Sequence, residues 1–265
     1  NLRIERKSMK RLEGKTAVIT GGSDGIGLGI AKCFAEEGAN LILLGRSEEK
    51  LKIAQEALGG YGVKAYAIEA DLAQSKTIKG LCERILAQSP KIDILVNNAG
   101  LGKFVPFEAT DEALLDAHLN LNVKAPYLLT QGLLGALAAS KGCVINISSY
   151  FANRMLVGRT TTAYSITKGA LNSFTKSLAF EVGKLGVRVN AIAPGSVLTP
   201  QFERNLSALS PQGREAFEQM VQNIYPLGKI GSAQDIGEAA VFLASDAAKW
   251  VSGAIFAIDG GLTTN

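Results

Sequence analysis

One stretch near the start of the chain decides the fold, and it reads Thr16-Ala17-Val18-Ile19-Thr20-Gly21-Gly22-Ser23-Asp24-Gly25-Ile26-Gly27. Its first five residues are apolar or β-branched, which predicts a short buried strand. A glycine-rich turn leads directly into a run with apolar residues three or four positions apart, which predicts a helix. Gly21, Gly25 and Gly27 leave no Cβ between backbone and ligand, so peptide N–H groups can approach an anionic pyrophosphate. An ordinary glycine-rich turn is the alternative, and the strand–turn–helix context favours the dinucleotide site.

The same alternation of short apolar runs and helical spacing continues along the chain. Strands are predicted at Thr16–Thr20, Leu41–Leu44, Lys64–Ala70, Ile92–Asn97, Cys143–Ser148, Val187–Ala193 and Ala254–Ile258. Helical spacing recurs in residues 48–58, 74–88, 111–135, 162–183 and 234–245. Most strands are apolar on both faces, as parallel strands between two helix layers must be. The pattern predicts an α/β fold, a Rossmann-type doubly wound three-layer sandwich with a seven-stranded parallel sheet, whose ligands bind beyond the carboxyl ends of the strands.

Composition and charge narrow the class of protein. The 265 residues are 47% hydrophobic and 20% charged, which is typical of a globular protein with a large core. We expect one dinucleotide-binding catalytic domain over residues 9–265, with residues 1–8 as a flexible extension or a cloning remnant. Five of the 28 Lys and Arg residues lie in the first eleven positions with one acid, so the rest of the chain is balanced in charge. Phosphate-backbone binding needs a concentrated basic surface, which argues against a nucleic-acid partner.

The cysteines and the apolar runs bear on the location of the protein. Cys33, Cys82 and Cys143 are far apart and set among apolar residues, which suggests neither a disulfide framework nor a metal cluster. We therefore predict no metal site, a reducing compartment and a cytoplasmic location. No apolar run approaches the roughly 20 residues of a membrane span, so no membrane partner is expected.

The end of the second predicted strand indicates which dinucleotide binds. It reads Leu43-Leu44-Gly45-Arg46-Ser47, without a carboxylate that would accept hydrogen bonds from the adenosine ribose. Arg46 offers a planar cation suited to a 2′-phosphate, so we expect NADP(H) to be preferred and NAD(H) to be possible. Two observations oppose this expectation. Asp24 places a negative charge in the glycine-rich turn, and Arg46 could be only the solvated start of a helix over Ser47–Leu58.

Tyr164 and Lys168 lie four residues apart on the predicted helix 162–183, so both project from one face. An adjacent ammonium favours phenolate, and we expect Lys168 to lower the pKa of Tyr164 from its usual ~10 toward useful acid/base chemistry. The strand that ends in Asn146-Ile147-Ser148-Ser149 adds hydroxyls that can polarise a carbonyl. His118, the only histidine, is interpreted as structural or exposed, which disfavours a Ser-His-Asp triad and zinc catalysis.

Eight motifs, taken in order, resemble those of the short-chain dehydrogenase/reductase family, and the resemblance covers nearly everything from Leu12 to Gly261. They are Thr20–Gly27, Asp71-Leu72, Asn97–Gly100, Asn122-Val123, Ile147–Ser149, Tyr164–Lys168, Pro194-Gly195 with Thr199, and Asp259-Gly260-Gly261. The implied catalytic set is Tyr164 as general acid/base, Ser149 as the carbonyl-orienting hydroxyl, Lys168 as the pKa-lowering charge and ligand of the nicotinamide ribose, and Asn122 as the anchor of a proton-relaying water. The implied cofactor contacts are Gly21, Ser23, Asp24, Gly25, Ile26, Gly27, Arg46, Asp71 and Leu72 toward the adenosine and pyrophosphate, Asn98, Ala99 and Gly100 in the middle, and Pro194, Gly195, Val197 and Thr199, with Tyr164 and Lys168, around the nicotinamide.

One departure from the family pattern bears on the catalytic hydroxyl. Ser149 precedes Tyr164 by fifteen positions, a wider interval than most relatives show, which implies an insertion within Tyr150–Thr162. Such a loop could reshape the substrate entrance, or it could shift the orienting hydroxyl to Ser148, and both alternatives stay open.

These residues predict NADP(H)-dependent interconversion of a ketone or aldehyde with an alcohol by hydride transfer, with Tyr164 as general acid/base. The alternative is a nucleotide-binding sensor or scaffold of the same fold without turnover. Apolar side chains in Ser196–Tyr225, with Phe104, Phe151 and Met155, are consistent with a lid over an apolar pocket. They hint at a fatty, cyclic or aromatic carbonyl substrate, including a 3-oxoacyl thioester.

The family resemblance also implies self-association. A homotetramer is expected, and the interface candidates are the apolar stretch Trp250–Ile258 and the helix 162–183.

Overall fold

The computed structural model describes residues 10–264 of the chain. The expectation for residues 1–8 lies outside the described residues. The predicted opening unit is present, since strand β1 (Thr16–Thr20) is buried throughout and leads through the glycine-rich turn into helix α1 (Gly25–Glu36). Asp24 ends the turn as the N-cap of α1, with its carboxylate accepting a hydrogen bond from the Gly25 N–H.

Seven parallel strands form the central sheet, in the spatial order β3-β2-β1-β4-β5-β6-β9. After β1 they are β2 (Asn40–Gly45), β3 (Ala65–Glu69), β4 (Ile94–Asn97), β5 (Cys143–Ile147), β6 (Arg188–Pro194) and β9 (Ile255–Ile258). A separate pair consists of β7 (Val197–Leu198) and β8 (Gly231–Ser232). The strand order reverses between β1 and β4, which opens a crevice at the carboxyl edge of the sheet where ligands of such folds bind. The predicted α/β sandwich with a seven-stranded parallel sheet is confirmed.

Helices cover both faces of the sheet. After α1 they are α2 (Glu48–Leu58), α3 (Ile78–Gln88), α4 (Glu112–Leu119), α5 (Ala125–Ser140), α6 (Thr162–Val182), α7 (Pro200–Ser207), α8 (Pro211–Ile224) and α9 (Ala233–Ala244). The strand side chains alternate between the two helix layers. Ala17 and Ile19 of β1 pack with α1 and α9, whereas Val18 packs with α3 and α5 on the other face.

The prediction of a single helix over residues 111–135 is wrong in one respect. Two helices, α4 and α5, lie there, and a π-helical turn over Asn120–Lys124 joins them. Pro126 stands at the start of α5 and has no N–H, so it cannot bond to the carbonyl of Asn122 four residues earlier. The apolar spacing continues across this turn, which is why periodicity alone could not reveal it. The π-turn brings Asn122 to the carboxyl edge of the sheet, where its side chain contacts the loop after β4.

The thiols of Cys33, Cys82 and Cys143 are free and buried. Burial raises the pKa of all three thiols, and that of Cys33 reaches about 11. The reducing, cytoplasmic location stays a prediction. Within residues 10–264, no helix combines the length and the apolar character that crossing a bilayer requires.

Candidate active site

The glycine-rich turn lies at the crevice and is held there by Asn98 at the end of β4. Gly21 and Gly25 adopt φ of +62° and +53°, a region that favours glycine. A Cβ on Gly27 would overlap the carbonyl oxygen of Gly21, so no larger residue fits where α1 passes the turn. Asn98 Nδ2 donates to the carbonyl of Thr20 at 2.9 Å. The turn is therefore fixed in a shape that leaves its backbone open to a ligand.

A first cavity of about 280 Å³ runs from this turn to the end of β2. Its lining residues are Gly21, Ser23, Asp24, Leu44, Gly45, Arg46, Ser47, Lys50, Ala70, Leu72, Ala99, Gly100 and Leu121. Arg46 lines this cavity directly after β2, and its cofactor role stays a prediction. Asp24, whose charge opposed a phosphate, forms an ion pair with Lys50, with Oδ2 and Nζ 2.7 Å apart. The hydrogen bond from Lys50 holds the pKa of the Asp24 carboxyl below its usual value.

Several residues of the predicted cofactor set lie apart from the cavity walls. Asp71 turns away, since its Oδ1 accepts from the N–H of Ala73 at 3.1 Å and caps the turn after β3. Thr199 caps α7 by accepting from the N–H of Phe202 at 3.2 Å, and it contacts the turn beside Gly25. Val197 is buried in β7.

A second cavity of about 170 Å³ adjoins the first, and both are lined by Gly100. Its lining residues are Ile26, Asn98, Gly100, Leu101, Gly102, Ile147, Ser148, Ser149, Tyr164, Lys168, Pro194 and Gly195. The structure thus brings together Tyr164 and Lys168 from α6, Ser149 from the turn after β5, Pro194 from the end of β6, and Gly195 directly after it. His118 lines neither cavity and is fully buried in α4, with Nδ1 2.9 Å from the carbonyl oxygen of Leu114.

Tyr164 has a higher pKa than the sequence predicted. Burial raises the pKa of the phenol to about 12, and the hydrogen bond with the Ser149 hydroxyl offsets only part of that rise. Lys168 Nζ lies 5.5 Å from the centroid of the phenol ring and donates to the Ile147 carbonyl at 2.7 Å. The expected lowering of the phenol pKa by Lys168 is absent from this structure, because the ammonium is turned toward a carbonyl and the phenolate would be desolvated.

The ammonium of Lys168 is itself buried, with only 4% of the residue exposed. Desolvation disfavours its charged form and lowers its pKa to about 8. At neutral pH both groups of the Tyr164–Lys168 pair are therefore mostly protonated, the phenol neutral and the amine cationic.

The two serines after β5 face different partners. Ser148 Oγ donates to Asn172 Oδ1 of α6 at 2.6 Å, which draws it away from the phenol. Ser149 Oγ accepts from the N–H of Phe151 at 3.2 Å and hydrogen-bonds with Tyr164. This geometry favours Ser149 over Ser148 as the hydroxyl that acts together with the phenol.

Asn122 is buried and its side chain is occupied by protein partners. Its Oδ1 accepts from the N–H of Leu101 at 2.7 Å, and its Nδ2 donates to the Leu101 carbonyl at 2.9 Å and to Thr167 Oγ1 at 3.0 Å. The side chain therefore joins the loop after β4 to the turn of α6 that carries Lys168.

Sequence reasoning missed three residues at the site, Asn172, Thr167 and Lys50. Lys50 was the easiest to find, because a helix predicted to begin at Ser47 places its first turn beside Arg46. Thr167 adjoins Lys168, but its bonds to Asn122 and to the Tyr164 carbonyl depend on the tertiary fold. Asn172 is recognisable only once α6 lies against β5.

An aromatic wall stands beside the phenol, made of Phe104 and Phe151. The ring centroid of Phe104 lies 5.4 Å from that of Tyr164 and 5.7 Å from that of Phe151, edge to face in both cases. Helix α8 adds apolar side chains to a small cluster around Phe151, including Val221. These rings pack against the phenol ring and lie outside the lining of the second cavity.

Comparison with known proteins identifies related chains over almost the whole length. A family model described as Enoyl-(Acyl carrier protein) reductase matches residues 21–263. Oxidoreductase UcpA of Salmonella typhimurium is 39% identical over 255 residues, which cover 96% of this chain and 97% of that protein. Cyclopentanol dehydrogenase of Comamonas testosteroni is 33% identical and covers 97% of this chain and 100% of that protein. The crystal structure of L-sorbose reductase from Gluconobacter frateurii, complexed with NADPH and L-sorbose, has a TM-score of 0.91 and 31% identity, covering 97% of this chain and 99% of that chain.

Proposed function

Since the chain belongs to the short-chain dehydrogenase/reductase family of oxidoreductases, we propose that it interconverts a ketone or aldehyde with an alcohol, using NADP(H) in preference to NAD(H). The observation that carries this proposal is the meeting of Ser149, Tyr164 and Lys168 in a cavity that adjoins the one under the glycine-rich turn. A hydroxyl, a neutral phenol and an ammonium together can orient a carbonyl oxygen, protonate it and stabilise the phenolate that remains.

The first cavity fits the adenosine and pyrophosphate of a dinucleotide. A glycine-rich turn with positive φ angles leaves room for a pyrophosphate at the N-terminus of α1, and Arg46 offers a bidentate cation to a 2′-phosphate. Lys50 neutralises the Asp24 carboxylate, so the charge of Asp24 is a weaker argument against binding of a 2′-phosphate. The related L-sorbose reductase was crystallised with NADPH, which supports the same preference here.

The second cavity fits the nicotinamide and the substrate. When bound there, NADPH would supply the hydride that reduces the carbonyl carbon. Ile26, Pro194 and Gly195 would hold the nicotinamide ring, and the Lys168 ammonium would bind its ribose.

The residues of the chain would then donate the proton and stabilise the developing negative charge. Ser149 and Tyr164 donate hydrogen bonds to the carbonyl oxygen and hold it in place. The phenol, neutral because its pKa is raised to about 12, transfers its proton to that oxygen as negative charge develops. The Lys168 ammonium, one helical turn away, would stabilise the phenolate left behind by turning from the Ile147 carbonyl toward the phenol oxygen.

The aromatic wall supports a compact apolar carbonyl compound as substrate. Phe104 packs against the reacting phenol and is 44% exposed, so it offers apolar surface that a cyclic or aliphatic ketone would cover. The relative named cyclopentanol dehydrogenase supports the same class.

NADPH consumption across a panel of ketones, aldehydes, acyl thioesters and sugar ketones tests this proposal. We expect turnover with cyclic or aliphatic ketones, with kcat/KM higher than for sugar ketones. Tight NADPH binding without turnover of any carbonyl compound would favour the alternative of a nucleotide-binding sensor.

The exposed apolar surface supports self-association as a homotetramer. Strand β9 forms one edge of the sheet, and the neighbouring Trp250 is 98% exposed. On α6, Phe180 is 90% exposed. Large exposed aromatic side chains beside an open strand edge are typical of protein interfaces.

A further inference from the structure

Three charged side chains line the adenosine end of the first cavity, and the proposed function uses only one of them. Arg46 follows β2, Lys50 lies in the first turn of α2, and Asp24 belongs to the glycine-rich turn. Their charges sum to one positive unit. The acids Glu48 and Glu49 of the same helical turn are exposed and do not line the cavity.

The Asp24–Lys50 pair is held in place from the Asp24 side. Asp24 Oδ1 accepts from the N–H of Gly25 at 2.7 Å as the N-cap of α1, so the carboxylate is fixed by the helix. Its Oδ2 accepts from Lys50 Nζ, also at 2.7 Å. The flexible lysine side chain is thus drawn across the rim of the cavity toward the turn.

A 2′-phosphate would meet both members of the pair. A phosphate monoester carries between one and two negative charges at neutral pH, so a bare carboxylate at the same rim would repel it. An ammonium has three N–H donors and can bond to a carboxylate and a phosphate oxygen at once. The lysine therefore both cancels the Asp24 charge and offers donors to the phosphate.

We propose that Lys50 is a second cation of the 2′-phosphate subsite, beside Arg46, and that Asp24 limits how much of the lysine charge reaches the phosphate. The inference rests on the proposed NADP(H) function. It makes the Asp24–Lys50 pair a determinant of discrimination between dinucleotides with and without the 2′-phosphate. An ion pair that only tethers the turn to α2 would instead affect both dinucleotides equally.

Titration calorimetry with 2′,5′-ADP and 5′-AMP on the full chain tests the lysine. Lys50→Met should weaken 2′,5′-ADP about tenfold, the usual scale for losing one charge-assisted contact, and change 5′-AMP less than about twofold. Lys50→Arg should retain the wild-type preference. Lys52→Met is the matched control, because Lys52 is exposed on the same helix and does not line the cavity, and it should change neither affinity.

The carboxylate is tested by Asp24→Ser, which removes the charge and keeps a good N-cap residue. This variant should bind 2′,5′-ADP about threefold or more tightly than wild type, because the repulsion is lost and Lys50 is released. Adding Lys50→Met to Asp24→Ser should cost less than Lys50→Met alone, since no bare carboxylate is then left at the rim.

The possible outcomes distinguish failure of the proposed role of Lys50 from failure of the proposed NADP(H) preference. Equal wild-type affinities for 2′,5′-ADP and 5′-AMP would overturn both the NADP(H) preference and the role of Lys50. A wild-type preference that Lys50→Met leaves intact, while Arg46→Met abolishes it, would overturn only the role of Lys50. If Lys50→Met lowered the affinity for both nucleotides equally, the Asp24–Lys50 pair would only tether the turn to α2, and the proposed role of Lys50 would be overturned.

Discussion

Burial sets the protonation states of the two titratable groups of the candidate site, and these states suit the proposed reduction of a carbonyl compound. Burial raises the pKa of Tyr164 to about 12 and lowers that of Lys168 to about 8. The phenol therefore stays protonated at neutral pH and can donate its proton. The amine is cationic at neutral pH and loses its charge when the pH rises modestly. The Ser149 hydroxyl hydrogen-bonds with the phenol.

The first prediction concerns pH. The pKa of Lys168 lies below that of free lysine, so its positive charge is present below about pH 8 and is lost above it. For reduction, kcat/KM should fall as the pH rises through about 8, a loss that initial rates from pH 6 to ~10 can measure. Lys168→Arg keeps its charge and should lack this descending limb. A wild-type profile that stays flat across the range would contradict the role of the ammonium.

The second prediction distinguishes the two serines. Ser149→Ala removes the hydroxyl that faces the phenol and should lower kcat by about 10²–10³, the usual effect of losing one oxyanion-stabilising donor. Ser148→Ala removes a bond to Asn172 and should lower kcat less than about tenfold. Steady-state kinetics of both variants measure the difference. The reverse order of effects would move the orienting role to Ser148.

At the residue scale, the sequence predicted which groups meet, but it did not predict the direction in which the pKa of the phenol shifts. Tyr164 and Lys168 could be placed together because spacing on a helix is a local property. The pKa of the phenol could not be predicted, because it depends on burial and on the carbonyl of Ile147, which the fold brings to Lys168. The choice between Ser148 and Ser149 likewise depends on Asn172, which α6 supplies.

At the element scale, the turn between β1 and α1 forms part of the proposed dinucleotide site, and its shape depends on close backbone packing. The carbonyl of Gly21 passes directly beside Gly27, and Asn98 bonds to the carbonyl of Thr20 from the neighbouring strand. The sequence predicted this unit because glycine spacing between a strand and a helix has few structural solutions. The π-turn at Asn120–Lys124 escaped prediction, because its apolar spacing does not differ from that of a continuous helix.

The third prediction contrasts two glycines. Gly27→Ala places a methyl group against the Gly21 carbonyl and should cost about 1–3 kcal/mol of unfolding free energy, together with most of the NADPH affinity. Gly80→Ala, at an exposed position of α3 with open space around the new methyl, should instead stabilise by about 0.5–1 kcal/mol. Urea unfolding and NADPH titration measure both variants. Tight NADPH binding by Gly27→Ala would contradict the account of the turn.

At the scale of the whole molecule, the doubly wound sheet brings residues far apart in sequence to one carboxyl edge. Tyr164, Ser149 and Asn98 come from α6 and from the ends of β5 and β4. This convergence could be predicted because parallel strands joined by helices all end at the same edge. The sequence associated Phe104 and Phe151 with an apolar pocket, but it could not predict their packing against Tyr164, because Phe104 lies in a loop and Phe151 in a short 3-10 turn after β5.

The fourth prediction concerns assembly. Light scattering should give four times the chain mass, because the family resemblance implies a tetramer and Trp250 and Phe180 offer exposed apolar surface to other subunits. Trp250→Glu should lower that mass. Ile53→Glu, which changes an exposed residue of α2 outside the expected interfaces, is the control and should not. A monomer mass for the wild type would contradict the tetramer.

The central claim is that the phenol of Tyr164 donates the proton during carbonyl reduction. Tyr164→Phe removes only the hydroxyl, so NADPH affinity and turnover should be measured side by side on this variant and on wild type. NADPH affinity should stay within about twofold, while kcat falls by about 10³ or more, since a general acid contributes on the order of 10²–10⁴ in rate. Wild-type turnover by Tyr164→Phe would contradict the account.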